Sequence, residues 1–320
     1  MSKTAVIEIR NLNFSYPNGK GVFDINFDVR KGQVVGFLGP NGAGKTTTIR
    51  CILGFMKGTT GDVTIDGLDC FKDAPRIAHK VGYIAGEPAF PSGMSGIEFL
   101  NFLINVRVEQ QGKESSLDKK ALQERMENLV KYFELDPRSK IKSMSKGMKQ
   151  KTAIIAACMH DPDVYILDEP SSGLDPLMQA KLVEFMQNEK ARGKTIMISS
   201  HIFEEVERMA DRILIIKDGR IVKEDNVKNL KNSQRKIFNV MAPGIVKKIK
   251  MSKDFDVNVV SGDEVEILVP IDKVNMFIKE LAKFDIQDVT QRTISLEEIF
   301  MQFYESGEKS PLLTGKGGVS

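Results

Sequence analysis

Gly39-Pro40-Asn41-Gly42-Ala43-Gly44-Lys45-Thr46 decides how this 320-residue chain is read. The stretch fits the pattern G-x-x-x-x-G-K-[S/T], whose glycines let successive backbone N–H groups converge on polyphosphate oxygens. The apolar run Gln33–Leu38 leads into it as a strand, and a helix from about Gly44 to Phe55 leaves it. The loop therefore opens into a helix N-terminus, where the dipole favours anions. Lys45 can reach the β and γ phosphates, and the Thr46 hydroxyl can ligate Mg²⁺, with Thr47 beside it in the binding set. The implied ligand is a nucleoside triphosphate with its magnesium ion.

The surrounding chain alternates strands and helices. Ala5–Leu12 and Phe23–Val29 show the period-two pattern of half-buried strands, and Val63–Ile65, Val81–Ile84, Val164–Asp168, Thr195–Ser199 and Arg212–Lys217 are short apolar runs bounded by turn residues. Such runs interleaved with helices predict a largely parallel sheet covered by helices, an α/β fold. Ser95–Phe133 differs: it is polar, with apolar residues at helical spacing (Ile97, Leu100, Phe102, Leu103, Ile104, then Leu122, Met126, Leu129, Val130, Phe133) around a solvated loop at Glu109–Lys120. It reads as an inserted helical lobe, extending to about residue 160.

A second chemical element lies far along the chain. Val164-Tyr165-Ile166-Leu167-Asp168-Glu169 is an apolar strand ending in two carboxylates. Placed beside the strand of the phosphate loop, Asp168 would meet Mg²⁺ through water. Glu169 would then face the water that attacks the γ phosphate, orienting it and accepting its proton.

Ser143-Met144-Ser145-Lys146-Gly147-Met148-Lys149-Gln150 opens a helix running to about Met159. Together with the first two elements it resembles the signature sequence of ATP-binding cassette (ABC) ATPases, whose common form is Leu-Ser-Gly-Gly-Gln. Ser145 and Gly147 keep a hydroxyl and a bare backbone at a helix N-terminus, whereas Met144, Lys146 and Met148 depart from the common form. The resemblance covers residues 4–230 and implies a P-loop ABC nucleotide-binding domain. It implies that Ser171-Ser172-Gly173-Leu174-Asp175 touches the partner subunit, that His201 contacts the γ phosphate, and that Tyr16, in Phe14-Ser15-Tyr16-Pro17, stacks on adenine. The family usually has a glutamine after the strand ending near Ile84, where this chain has Ala85-Gly86-Glu87-Pro88. Glu87 is the candidate replacement at the Mg²⁺.

Residues 231–306 form a second unit. Lys236–Met241 is a strand, Gly244–Met251 a short helix, Phe255–Val260 and Glu264–Val269 a hairpin, Ile271–Phe284 an amphipathic helix and Ile286–Gln291 a last strand. That order, β-α-β-β-α-β, is a split βαβ arrangement. A final helix is expected at Ser295–Tyr304, N-capped by Ser295, and residues 307–320 are read as a flexible tail. The unit is similar to the accessory domain of some exporter-type members, chiefly through Ser295-Leu296-Glu297-Glu298-Ile299-Phe300. Ser-Lys-Gly-Met-Lys-Gln in turn resembles the signature of ATPases that power drug, antibiotic-peptide or surface-polymer exporters.

Composition sets the outer bounds. The chain is 41% hydrophobic and 28% charged, as folded globular proteins are. Its longest apolar run, Ala153–Met159, falls far below the about 18 residues of a spanning helix. The N-terminus has no secretory pattern, which argues against a channel or a secreted protein. Net charge is +3 with no basic block, so no nucleic acid is expected as partner. Cys51, Cys70 and Cys158 are isolated and read as buried thiols of a reducing compartment.

The expected protein is the ATP-hydrolysing subunit of a transporter, peripheral on the cytoplasmic face of the membrane. It would pair with a second copy of itself, or a paralogous ATPase subunit, around two MgATP, and drive a separate transmembrane permease. Two alternatives stay open at this point: a soluble ATPase of the same superfamily acting in translation or DNA repair, and a regulatory module without turnover.

Overall fold

The computed structural model describes residues 4–110, 118–227, 235–248, 255–293 and 298. Contacts divide the chain into two units at Glu224/Asp225, six residues before the boundary expected at 230/231.

The first unit holds β1 (Ala5–Ser15), β2 (Gly21–Arg30), β3 (Val34–Leu38), α1 (Lys45–Ile52), β4 (Thr60–Ile65), β5 (Leu68–Asp69), α2 (Ala74–Ala78) and β6 (Val81–Ile84). It continues through α3 (Gly96–Gln110), α4 (Lys119–Tyr132), α5 (Lys146–Cys158), β7 (Val164–Asp168), α6 (Pro176–Ala191), β8 (Thr195–Ser200), α7 (Phe203–Met209), β9 (Arg212–Lys217) and β10 (Arg220–Asn226), which runs across the division. The central sheet has the order β10-β9-β3-β8-β7-β6, and β9, β3, β8, β7 and β6 pair in parallel. Strands covered on both faces are apolar throughout, and every residue of β3, β7 and β8 is buried.

Two features differ from the sequence expectation. The first strands do not join the parallel sheet; they form a separate antiparallel one, β2-β1-β4-β5, whose inward residues Ile7, Ile9, Val22, Ile25 and Ile65 share a core with α1. Their alternation is that of strands with one solvated face. In addition, the Asp-Glu strand β7 is not the neighbour of β3, because β8 lies between them. A β8 side chain holds the end of β7, with Ser199 Oγ donating to Asp168 Oδ1 at 2.5 Å.

The helical lobe is α3, α4 and α5. Ser95 and Glu98 form a capping box at the start of α3: Glu98 N–H donates to Ser95 Oγ at 3.3 Å, and Ser95 N–H to Glu98 Oε2 at 2.6 Å. Leu100, Ile104, Leu122, Met126, Leu129 and Phe133 are buried at helical spacing, whereas Phe102 is exposed. The middle of the loop expected at Glu109–Lys120 lies outside the described residues, and its ends belong to α3 and α4.

The second unit contains β11 (Arg235–Met241), α8 (Ile245–Lys248), β12 (Asp256–Val259), β13 (Glu264–Pro270), α9 (Val274–Leu281) and β14 (Asp288–Thr293). The sheet order β12-β13-β11-β14, antiparallel throughout, is that of a split βαβ unit. Phe238, Val240, Val265, Ile267 and Phe277 form its core, with the Phe238 and Phe277 rings 4.6 Å apart. The helix expected at Ser295–Tyr304 and the tail lie outside the described residues, apart from Glu298, whose carboxylate meets Arg292 Nη1 at 2.6 Å.

Candidate functional site

Parallel strands align their carboxyl ends, and the register here brings three of them together. Leu38 pairs with Ser200, and Asp168 with Ser199, so the segments leaving β3, β8 and β7 emerge side by side. Sites of open parallel sheets form at such an edge. The phosphate loop, Asp168-Glu169 and His201 therefore converge although the loop lies more than a hundred residues before the other two.

The loop leaves β3 and enters α1 at Gly44, which caps the helix with φ of 114°, a conformation only glycine adopts readily. A Cβ on Gly42 would meet nothing within 4 Å, so that glycine borders open space. A cavity of about 400 Å³ lies there, lined by Tyr16, Pro40, Asn41, Gly42, Gly44, Lys45, Thr46, Thr47 and Glu169. Gly39 and Ala43 do not line it. Gly39 instead fixes the Lys45 side chain, whose Nζ donates to its carbonyl at 2.6 Å and to that of Pro40 at 3.2 Å. Ala43 is buried, and its carbonyl accepts Gly219 N–H at 2.9 Å.

Lys45 Nζ is also 3.2 Å from Glu169 Oε1, while Glu169 Oε2 contacts His201 Nδ1. Glu169 has φ of 49°, in the left-handed region that non-glycine residues seldom occupy. The loop is pinned there by Glu169 N–H donating to the Ser199 carbonyl at 3.0 Å. Oε1 is buried and takes no hydrogen bond. A strained backbone holding an ion-paired carboxylate over a cavity is an arrangement found at functional sites. On the far wall Tyr16 packs edge-on against Phe14, with ring centroids 4.9 Å apart, and its hydroxyl lies 3.4 Å from Thr47 Oγ1.

The residues present fit a hydrated Mg²⁺. Thr46 offers a hydroxyl on the cavity wall, and Asp168 is a 3% exposed carboxylate one residue before Glu169. Glu87 is not in this company. It lines a separate groove of about 620 Å³ with Arg50, Phe55, Tyr83, Phe99 and Arg107, so a role at the Mg²⁺ finds no geometric support. Gly86 is the residue that reaches the site's wall: a Cβ there would lie 3.2 Å from the Asp168 carbonyl.

Ser145 and Gly147 lie outside the cavity, at the start of α5. Ser145 is the N-cap, its Oγ accepting Met148 N–H at 3.2 Å. Gly147 packs so closely that a Cβ would meet the Gly173 carbonyl at 2.7 Å. Sequence reasoning missed three supporting residues. Gln150 Nε2 donates to the Pro170 carbonyl at 2.8 Å, tying α5 to the segment after Glu169. Ser199 Oγ holds the Asp168 carboxylate, and Ser200 Oγ holds the His201 turn. A glutamine in a basic helix start and a serine pair closing an apolar strand were the only signals.

Fold and site together define a P-loop nucleoside triphosphatase. Residues 22–172 match the ABC transporter family. Over 316 residues the chain is 32% identical to the bacitracin transport ATP-binding protein BcrA of Bacillus licheniformis, covering 95% of this chain and 99% of that protein. It is 33% identical over 233 residues to the Nod factor export ATP-binding protein I of Cupriavidus pinatubonensis, covering 72% and 69%. A solved ATP-binding subunit of an ABC transporter superposes with a TM-score of 0.63 at 31% identity, over 71% of this chain and 92% of the other. A dimeric ATP-binding cassette in a post-hydrolysis state with ADP and Pi shares the fold at a TM-score of 0.62 and 21% identity, covering 69% and 98%.

The chain belongs to the ATP-binding subunits of ABC transporters. It is an ATPase of that family. Among the described residues, no helix is long and apolar enough to cross a membrane.

Proposed function

We propose that this chain hydrolyses MgATP in a head-to-tail dimer and drives export through a permease seated on the cytoplasmic face of the membrane. The observation that carries the reading is the pairing of Lys45 and Glu169 in the wall of one cavity bordered by the phosphate loop, with His201 against the second oxygen of Glu169. Lys45 neutralises the β and γ phosphates, and Tyr16 offers a ring to the adenine. Glu169 orients the attacking water and accepts its proton, and His201, oriented by Glu169 Oε2, meets the γ phosphate. Thr46 and, through water, Asp168 would hold Mg²⁺, which would supply charge neutralisation on the phosphate oxygens when bound.

Ser145 and Gly147 stand apart from this cavity, which supports their service to the triphosphate of the facing subunit. There the start of α5 would bring a second helix N-terminus to bear on the phosphates. The second subunit is another copy of this chain or a paralogue. The groove between the Gly86 segment and the helical lobe suits a cytoplasmic segment of the permease, because it is apolar and rimmed by Phe55, which is 65% exposed. Relatives named for bacitracin transport and Nod factor export support outward transport. They disfavour a soluble role in translation or repair.

Affinity capture of the tagged full chain from detergent-solubilised membranes tests the assignment. Recovery of a polytopic membrane protein is expected. Recovery of ribosomes with no such protein would overturn it.

A further inference from the structure

Glu205 sits on the buried face of α7 and is 8% exposed. Its Oε2 accepts a hydrogen bond from Ser171 Oγ at 2.8 Å and a longer one from Ser200 Oγ at 3.4 Å. Ser171 lies two residues after Glu169, in the segment leaving β7. Ser200 ends β8, directly before His201, and its Oγ accepts Ile202 N–H at 2.9 Å. One carboxyl group thus holds both the segment that carries Glu169 and the turn that carries His201.

Packing alone gives no reason for an acid at this position. The neighbouring buried residues of α7, Val206 and Met209, are apolar. Glu205 Oε1 is buried without a hydrogen-bond partner, a costly arrangement where an apolar side chain would fill the same space. Buried polar groups that survive at such cost fix geometry when their bonds reach a functional segment.

We propose that Glu205 is a positioning residue for ATP hydrolysis, a clasp that sets Glu169 and His201 relative to one another through Ser171 and Ser200. The inference rests on the reading of Glu169 as the water-activating base. Burial raises the Glu205 carboxyl above the usual carboxylate range; the Ser171 and Ser200 hydroxyls and His201 oppose the rise, and the Glu169 charge adds to it. The clasp accordingly acts through accepted hydrogen bonds, so an amide in its place serves as well. The oxygen of Gln accepts from the two serines, and its nitrogen takes the position of Oε1.

The test is steady-state ATP hydrolysis by the purified full chain with Glu205→Ala, Glu205→Gln, Ser171→Ala and the Ser171→Ala/Glu205→Ala double variant. Misplacing catalytic groups by about 1 Å costs on the order of 100-fold, so Glu205→Ala should lower kcat by about 10-fold or more while KM for ATP stays within about twofold. Glu205→Gln should recover most of the turnover. Ser171→Ala should lower kcat alone yet add little to Glu205→Ala, because both remove one contact. Ser171→Ala deletes only a hydroxyl and reports on the clasp even where Glu205→Ala does not fold. Turnover in Glu205→Ala within about twofold of wild type, or Glu205→Gln as impaired as Glu205→Ala, would overturn the clasp. Glu169→Gln measured alongside separates the two claims: if it alone abolishes hydrolysis the base stands and the clasp falls, and if it hydrolyses normally the base falls.

Discussion

Lys45 Nζ and Glu169 Oε1 lie 3.2 Å apart, both within side chains that are largely buried, 6% and 18% exposed. The cation of the phosphate loop and the carboxylate that follows the Asp-Glu strand are thus paired across β8, and a triphosphate entering the cavity meets both. Lys45→Ala removes the ammonium and leaves the loop's backbone in place. Charge-assisted hydrogen bonds contribute about 1.5–3 kcal/mol each, so ATP affinity should fall by about 100-fold or more. Equilibrium titration with a fluorescent ATP analogue measures this, and tight binding by the variant would contradict the phosphate-loop assignment.

Gly147→Ala places a methyl group 2.7 Å from the Gly173 carbonyl, where no real Cβ fits, so α5 and the Ser171–Asp175 segment must separate. Turnover should fall about 10-fold or more, on the scale of sub-ångström misplacement at a composite site. Nucleotide binding to the isolated subunit should persist, because Gly147 lies outside the Lys45 cavity. Parallel binding and turnover assays check the split.

Gln150→Leu tests the tie between α5 and the segment after Glu169. It keeps bulk but strands the Pro170 carbonyl, now bonded to Nε2 at 2.8 Å in a buried site. An unsatisfied buried acceptor costs about 1–3 kcal/mol, to be read from denaturant unfolding. An unchanged midpoint would mean that this bond contributes nothing.

His160 gives the first unit a pH response. Burial first, then the Arg107 and Arg125 charges, push its imidazole down to about 3, against a bond to the Val81 carbonyl and the Asp161 charge. Its Nδ1 is buried without a partner. The unfolded chain binds this proton near the ordinary histidine value of about 6.5, and the folded chain does not until about pH 3. The stabilisation is complete above about 6.5 and declines as pH falls towards 3, at up to about 1.4 kcal/mol per pH unit. His160→Gln should flatten that slope by one proton in chemical denaturation at pH 7, 6 and 5. An identical slope in the variant would contradict the assignment.

The parallel core and the phosphate loop were legible because both are local: apolar strands punctuated by turns, and a loop whose residue types are dictated by phosphate. Pairing order was not. Nothing in Val164–Asp168 says that β8 intervenes before β3, since strand order is decided by crossovers and helix packing. Two strands went unread that the chain does announce. β4 turns into β5 at Asp66-Gly67, and β9 into β10 at Asp218-Gly219, each pair with positive φ at both residues. Asp-Gly is the preferred two-residue hairpin turn.

The site divides the same way. Lys45, Thr46 and Glu169, residues defined by spacing, line one cavity, and Asp168 is the buried residue before Glu169. Glu87, placed by analogy at a position where the family's glutamine is missing, lines the groove instead. Glu205 and Gln150 lie on helices whose polar residues look solvated until tertiary packing buries them.

The central claim is that Glu169 activates the water that cleaves ATP. Glu169→Gln keeps the side chain's shape and removes its basicity. Single-turnover hydrolysis of radiolabelled ATP by the full chain measures the chemical step directly. Loss of a general base predicts a rate lower by about 10² to 10⁴, with ATP still bound. A rate equal to wild type would contradict the account.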